Sequence, residues 1–239
     1  MRIDSQPAYI LHCRDYRDSS LLVEFLTPEF GRVSGVVRGV RTKNKSARLR
    51  RSLMQPFVSL VISWSGNTDL KTITHYDSYS PSLVLKGKQL FSAMYVNELL
   101  TRLLQHYVEN PEIYTLYQWV LHSLVQSDQI EVTLRRFELR LLEYMGYGFD
   151  FETDCETGER ILPDQHYRLT VDRGFSLVPQ SSLSNSFSDK LFSGQTISRL
   201  GNDEYDIDTS RAAKHICRMA LRVHLGDKPL KSRELFAKT

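Results

Sequence analysis

The sequence predicts an α+β protein: a small closed five-stranded β-barrel over residues 1–80, then a mostly α-helical part over residues 81–239 with a small β insertion. Two observations carry this. Short runs of period-two alternation separated by turn residues fill the first 80 residues, with no helix of ten or more among them, and after Pro81 the apolar residues change to helical spacing. Hydrophobic residues make up 41% and charged residues 25% of the 239, which excludes disorder and supplies a core without staples.

Residues 7–14 (Ala-Tyr-Ile-Leu-His-Cys-Arg-Asp) form the first expected strand and residues 19–27 the second, ended by the turn Pro28-Glu29-Phe30-Gly31. Residues 32–40 carry Val33, Val36, Val37 and Val40 in a third strand, and Gly35 and Gly39 interrupt it as glycines do at bulges and barrel corners. In residues 57–64 the set Val58, Leu60, Ile62, Trp64 alternates with Phe57, Ser59, Val61, Ser63, consistent with one buried face. The turn Ser65-Gly66-Asn67 leads to a fifth strand over residues 70–79. Five strands of this kind point to the oligonucleotide-binding (OB) barrel, with an SH3-like barrel as the alternative.

Beyond Pro81, helices are expected over residues 87–107, from Asn110-Pro111 to about Val125, and over residues 130–145, where Leu134, Phe137, Leu141, Leu142 and Met145 share a stripe and Gly146 and Gly148 end it. Residues 150–180 are irregular, with a hairpin over 166–177 turned at Asp172-Arg173-Gly174. A short helix is expected over 188–200, and a last one capped by Asp208, Thr209 or Ser210 runs to about Leu225. The domain division is therefore 1–80 and 81–239.

The net charge of +3 is weak, but its distribution is not even. Residues 1–81 hold 12 Lys+Arg and 7 Asp+Glu, whereas the remainder hold 19 and 21. An excess of cations in one part of a chain suggests an anionic partner for that part. The excess is densest between Arg32 and Arg51, where Arg32, Arg38, Arg41, Lys43, Lys45, Arg48, Arg50 and Arg51 stand in twenty residues without an acid. Such a run repels itself unless an anion neutralises it, and phosphates do so while releasing counterions. The small polar residues between the cations suggest a flexible loop that follows a nucleic-acid backbone; the bland alternative is a solvated basic loop. Tyr16 and Phe30, near turns, are candidate stacking platforms, with core packing as the competing role.

Other chemistry finds little support. The three cysteines, Cys13, Cys155 and Cys217, are odd in number and widely spaced, which argues against a disulfide framework and for a reducing cytoplasm. The N-terminus shows no signal peptide, and no apolar run reaches a membrane span. Asp154, Cys155, Glu156 and His166 lack the paired soft ligands of structural zinc. Asp203, Glu204, Asp206 and Asp208 read either as a divalent-ion site of a nuclease or as a solvated loop and helix cap. No nucleophile elbow and no phosphate-cradling loop are present, so any action on DNA must run on binding energy, without a cofactor. In the third helix, Arg135, Arg136 and Arg140 flank Leu134, Phe137 and Leu141, a candidate groove for an acidic, aromatic peptide; an ordinary amphipathic helix is the alternative. Lys214, Arg218, Arg222, Lys228, Lys231, Arg233 and Lys238 extend the basic track or merely solvate a terminal helix.

Taken in order, these segments resemble a known family. Gly31–Leu53, with Val36-Val37-Arg38-Gly39-Val40-Arg41 and Lys45-Ser46, is similar to the third strand and basic loop of the bacterial recombination mediators of the RecO family. Leu53-Met54-Gln55-Pro56-Phe57, Asp69-Leu70-Lys71, Ala8-Tyr9-Ile10-Leu11, Tyr16-Arg17-Asp18-Ser19-Ser20 and Arg136–Leu142 with Gly146-Tyr147 fit the same family. The resemblance implies an N-terminal OB barrel and a helical C-terminal domain. It implies binding of single- and double-stranded DNA, annealing of complementary strands, and loading of RecA onto strands coated by single-stranded-DNA-binding protein (SSB), together with RecR. It attributes contact with the SSB tail to the helical domain. It also implies a cytoplasmic, nucleoid-associated and non-catalytic protein. Many members carry four zinc cysteines in the helical part; this chain has two cysteines there, Cys155 and the distant Cys217, and resembles the subgroup without zinc. An RNA-binding or ribosome-associated OB module and a metal-dependent nuclease remain the alternative functions.

Overall fold

The computed structural model describes residues 2–80, 83–181 and 191–237. Its N-terminal strands are β1 (Arg2–Tyr16), β2 (Ser20–Thr27), β3 (Gly31–Val37), β4 (Ser59–Ser65) and β5 (Leu70–Ser78), with a helix α1 (Lys45–Leu53) between β3 and β4. They close into a barrel in the order β1-β2-β3-β5-β4, in which β3 and β5 run parallel and every other pair antiparallel. The OB-type barrel expected from the sequence is the architecture formed.

Alternation explains the interior. Val23, Phe25, Val33, Leu60, Ile62 and Trp64 point inward and are at most 1% exposed. Gly35 faces the same interior opposite Val23. A Cβ there would lie 2.5 Å from Cδ1 of Ile73, so glycine leaves room for the Ile73 side chain in the barrel interior. The register of β1 on β2 shifts between Ile10 and His12, a bulge that leaves strand carbonyls unpaired. Asn97 answers it, donating to the Leu11 carbonyl at 2.9 Å and the Ile10 carbonyl at 3.3 Å, while the Tyr117 hydroxyl donates to Asn97 Oδ1 at 2.7 Å.

Asn97 belongs to α2 (Lys88–Leu103) and Tyr117 to α3 (Pro111–Gln126), whose N-cap Asn110 accepts from the Ile113 amide with proline in the first turn. A short α7 (Arg233–Ala237) lies against α2, where Glu98 accepts from the amides of Lys231 and Ser232. These helices pack with the barrel in one compact unit, Met1–Ile130 with Lys228–Thr239. Hydropathy period marks where helices begin after residue 80, but not what they pack on.

The second unit is Glu131–Asp227. It contains α4 (Ile130–Tyr144) from its second residue on, the hairpin β6 (His166–Thr170) and β7 (Gly174–Leu177), a third strand β8 (Leu191–Ser193) beside β6, then α5 (Gly194–Gly201) and α6 (Ile207–Leu225). Phe175, Ile197, Ala213 and Ile216 are fully buried at its centre. Two sequence expectations need correction. The helix over 188–200 starts only at Gly194, after β8, and residues 188–190 lie outside the described residues. The cap of α6 is Asp206, which accepts from the Thr209 amide at 2.8 Å while Thr209 reaches back to the Asp206 amide. Among the described residues no helix is long and apolar enough to cross a membrane.

Candidate nucleic-acid interface

The basic segment is not a flexible loop. Asn44 caps α1 by accepting from the Ala47 amide at 2.7 Å, and the good helix formers Lys, Ala, Leu and Arg carry it on to Leu53, with Arg50 and Arg51 in its last turn where cations suit the helix dipole. Ala47 is the only fully buried side chain of α1, so the helix offers almost no apolar stripe; Leu53 and Met54 attach its end to the barrel core. The approach from β3 is fixed as well. Arg41 donates from its amide to Ser19 O at 3.1 Å and from Nη1 to Arg17 O at 2.8 Å, and its Nη2 pairs with Asp15 at 2.8 Å. Arg50 Nη2 donates back to Gly39 O at 3.0 Å.

The cations therefore stand on an ordered edge. Arg38, Lys43, Lys45, Arg48, Arg50 and Arg51 are exposed, and none of them has a carboxylate partner among the described residues. Lys45 with Arg48, and Arg48 with Arg51, are like-charge neighbours three apart on one helix, an arrangement that costs stability until an anion joins it.

Two of the eight cations differ. Arg41 is tied to Asp15 as described. Arg32 lies on the outer face of β3, half-buried, with Nε on Glu24 Oε2 at 2.9 Å and Nη1 on the carbonyls of Thr101 and Leu104 at the end of α2. It serves the fold and is not one of the exposed cations. Burial alone would raise the Glu24 carboxyl, but hydrogen bonds from Ser34, Arg32 and His106 outweigh it and hold Glu24 below the usual carboxylate range.

The same contacts show that the chain covers one of its own barrel faces. OB barrels commonly use the face of strands 2 and 3 and the loops joining strands 1–2 and 4–5 for oligonucleotides. Here the α2–α3 connection lies over that face. His106 bridges Glu24 and Ser34, the Tyr107 amide donates to Arg32 O at 3.0 Å, and the Tyr107 hydroxyl donates to the Asp69 carbonyl of the β4–β5 loop. A Cβ on Gly31 would lie 1.9 Å from the Val108 carbonyl oxygen, so the positive φ and bare Cα of Gly31 are what let this segment seat. The β1–β2 loop stays open. Exposed Arg17 lies over the half-buried Tyr16 ring at 5.2 Å and is joined to Arg41 through its carbonyl. Arg17 is thus a neighbour of the basic edge that sequence reading passed over; its signal was a cation at the tip of a two-strand turn. Phe30 is no stacking platform: it packs edge-on against Trp64, with centroids 5.2 Å apart.

The apolar stripe expected to line a groove on α4 does not face solvent. Leu134, Phe137 and Leu141 are buried in the core, and Arg135 Nη1 pairs with buried Glu138 at 2.7 Å. A cleft of about 330 Å³ opens on the next face, where Arg136 and Arg140 stand beside Leu139, Phe149, Phe151 and Leu200. Arg136 Nε donates to Asp203 Oδ1 at 2.9 Å, and its guanidinium lies 5.1 Å from the centre of the Tyr205 ring. Burial, reinforced by Asp203, pushes the Tyr205 hydroxyl up to about 12.

The acidic cluster is dispersed by its own partners. Asp203 pairs with Arg136, Glu204 and Asp206 with Arg199, and Asp206 also caps α6. The cap and Arg199 hold the Asp206 carboxyl well below its ordinary range. Asp154 accepts from the amides of Glu156, Thr157 and Leu177, a loop-building role, and Cys155 is a free exposed thiol. Among the described residues no three His, Cys, Asp or Glu converge to hold a metal ion.

Comparison with known proteins identifies the family. Residues 1–81 match the family model described as "Recombination protein O N terminal", and residues 86–234 match "Recombination protein O C terminal". The chain is 40% identical over 239 residues to the DNA repair protein RecO of Cellvibrio japonicus, covering 99% of this chain and 98% of that protein. It is 39% identical over 239 residues to the RecO of Pseudoalteromonas atlantica (100% and 96% covered), and 39% identical over 236 residues to that of Vibrio cholerae (98% and 94%).

Proposed function

The chain belongs to the RecO family of recombination and DNA-repair proteins, and we propose that it acts by gripping DNA phosphates along the edge formed by Arg38, Lys43, Lys45, Arg48, Arg50 and Arg51. The observation that carries this reading is that these six cations are exposed and without carboxylate partners among the described residues, four of them on one helix. Contacts of this kind neutralise the backbone and leave base edges free. Two strands so neutralised repel each other less, and complementary bases pair without fuel. Arg17 extends the edge, and the covered β2–β3 face directs nucleic acid toward it.

The family reading adds partners. RecR and the C-terminal tail of SSB bind this chain, and RecA is loaded as a consequence. The cleft beside Arg136 and Arg140 suits an acidic, aromatic tail: guanidinium groups meet carboxylates while Leu139, Phe149 and Phe151 receive a ring. Incubation with labelled DNA and Mg²⁺ leaves DNA intact if the protein is a mediator; cleavage abolished by EDTA would restore the nuclease. Replacing Lys43, Lys45, Arg48 and Arg51 together by alanine should weaken single-stranded DNA binding at least about tenfold irrespective of sequence. Unchanged affinity would move the site elsewhere.

A further inference from the structure

The exposed face of α6 carries a line of cations that its own unit does not consume. Arg211, Lys214, Arg218 and Arg222 stand at i, i+3, i+7 and i+11, within an arc of about 80° and over a length of about 16 Å. The opposite face, with Ala213, Ile216 and Ala220, is in the core. Abundance does not explain the stripe. Residues 131–227 hold 12 Lys+Arg against 16 Asp+Glu, yet residues 209–226 hold these four cations and no acid.

Other arginines of the unit are engaged: Arg136 by Asp203, and Arg199 by Glu204 and Asp206. On the stripe, Arg211 reaches Asp208 only at 3.9 Å and Lys214 reaches Glu131 only at 3.8 Å, both toward carboxylates more than 80% exposed. Pairs this long and this wet hold little. Arg218 and Arg222 are exposed and have no ion-pair partner among the described residues. The Asp206–Thr209 box fixes the start of the helix, so the row is rigid. A straight row of three guanidinium forks and one ammonium matches a linear polyanion, whose oxygens accept two donors at a time from each fork.

We propose that this face of α6 is a second binding site for a nucleic-acid backbone, separate from α1, so that one chain holds two strands at once. The inference rests on the reading of the chain as a nucleic-acid binder and deepens it. Holding two strands on one molecule turns their encounter into an intramolecular event and raises their effective concentration.

The test uses the full chain and non-complementary single strands of about ten nucleotides, within the range of one compact site. Native mass spectrometry counts strands per chain. The unaltered protein should carry two. Arg211→Ala/Arg218→Ala/Arg222→Ala should carry one, bound within about twofold of the normal first-strand affinity, and the three Arg→Lys changes, which keep the charge but lose the fork, should recover the second strand at weaker affinity than the unaltered protein. The inference is overturned if the unaltered protein stops at one strand, if the alanine variant still holds two, if it loses both together, or if the lysine variant behaves like alanine. The α1 variant judges the other site independently: it should also hold a single strand, and if it binds two normally the α1 reading fails while the α6 result stands.

Discussion

The side-chain oxygen of Asn44 accepts the Ala47 amide proton at 2.7 Å, and this cap starts the helix that carries Lys45, Arg48, Arg50 and Arg51. Asn44→Ala should cost about 1 kcal/mol at α1. Hydrogen exchange of the amides in residues 48–53 should quicken, and affinity for single-stranded DNA should fall by up to about fivefold. Faster exchange with unchanged affinity would mean that the order of α1 does not matter for binding.

Arg32 and Arg38 differ in their surroundings, although they lie six residues apart in the same basic run. Arg32 is held by Glu24 and by the Thr101 and Leu104 carbonyls, whereas Arg38 is exposed. Arg32→Ala should lower the unfolding free energy by about 2–3 kcal/mol, since it strands hydrogen-bond partners of a charged group, and should leave DNA affinity of the folded protein unchanged. Arg38→Ala should do the reverse. Denaturant melts paired with binding isotherms distinguish the two, and matching effects from both substitutions would contradict the division.

The Glu24 network sets a direction for pH dependence. Its folded carboxyl lies below the ordinary value of 4.5, held there by Ser34, Arg32 and His106 against the effect of burial. A depressed carboxyl stabilises the fold while ionised; that contribution is complete above the ordinary value and is lost as pH falls through the folded one. Glu98, which anchors Lys231 and Ser232, shifts the same way. Thermal midpoints should therefore fall below about pH 4.5, and Glu24→Gln should flatten that acid limb while lowering stability at neutral pH. An identical acid limb in the variant would refute the assignment.

In the second unit, Asp203 already occupies Arg136 at 2.9 Å. An acidic peptide entering the cleft has to displace that carboxylate. Asp203→Asn should tighten binding of a peptide ending in acidic and aromatic residues by a few-fold, and Arg136→Glu should abolish it. Fluorescence anisotropy with a labelled peptide measures both. Weaker binding by Asp203→Asn would mean that Asp203 organises the cleft rather than competes for it.

Much of this was legible in the sequence because burial writes itself as period. The barrel interior is recorded by Leu60, Ile62 and Trp64, whereas Gly35, read as a bulge or corner, sits in regular register and makes room for the Ile73 side chain. α1 was illegible for the opposite reason: with only Ala47 buried, it has no apolar stripe, and its cap and propensities are hidden among charges. β8 is three residues long, too short for alternation to register. The cleft lies one face away from the stripe read in the sequence because a stripe such as Leu134, Phe137, Leu141 announces a buried face, and the side of the helix that lines a cleft depends on packing by Phe149 and Leu200 from distant segments. The pairing of Arg32 with residues of α2, about seventy positions on, leaves no local trace.

Salt dependence of single-stranded DNA affinity tests the central claim most directly. If the six exposed cations of Arg38–Arg51 each meet a phosphate, log K against log salt should fall with a slope of roughly −4, flattening to about −1 when Lys43, Lys45, Arg48 and Arg51 are alanine. A slope near zero for the unaltered protein, or the same slope in both, would contradict it.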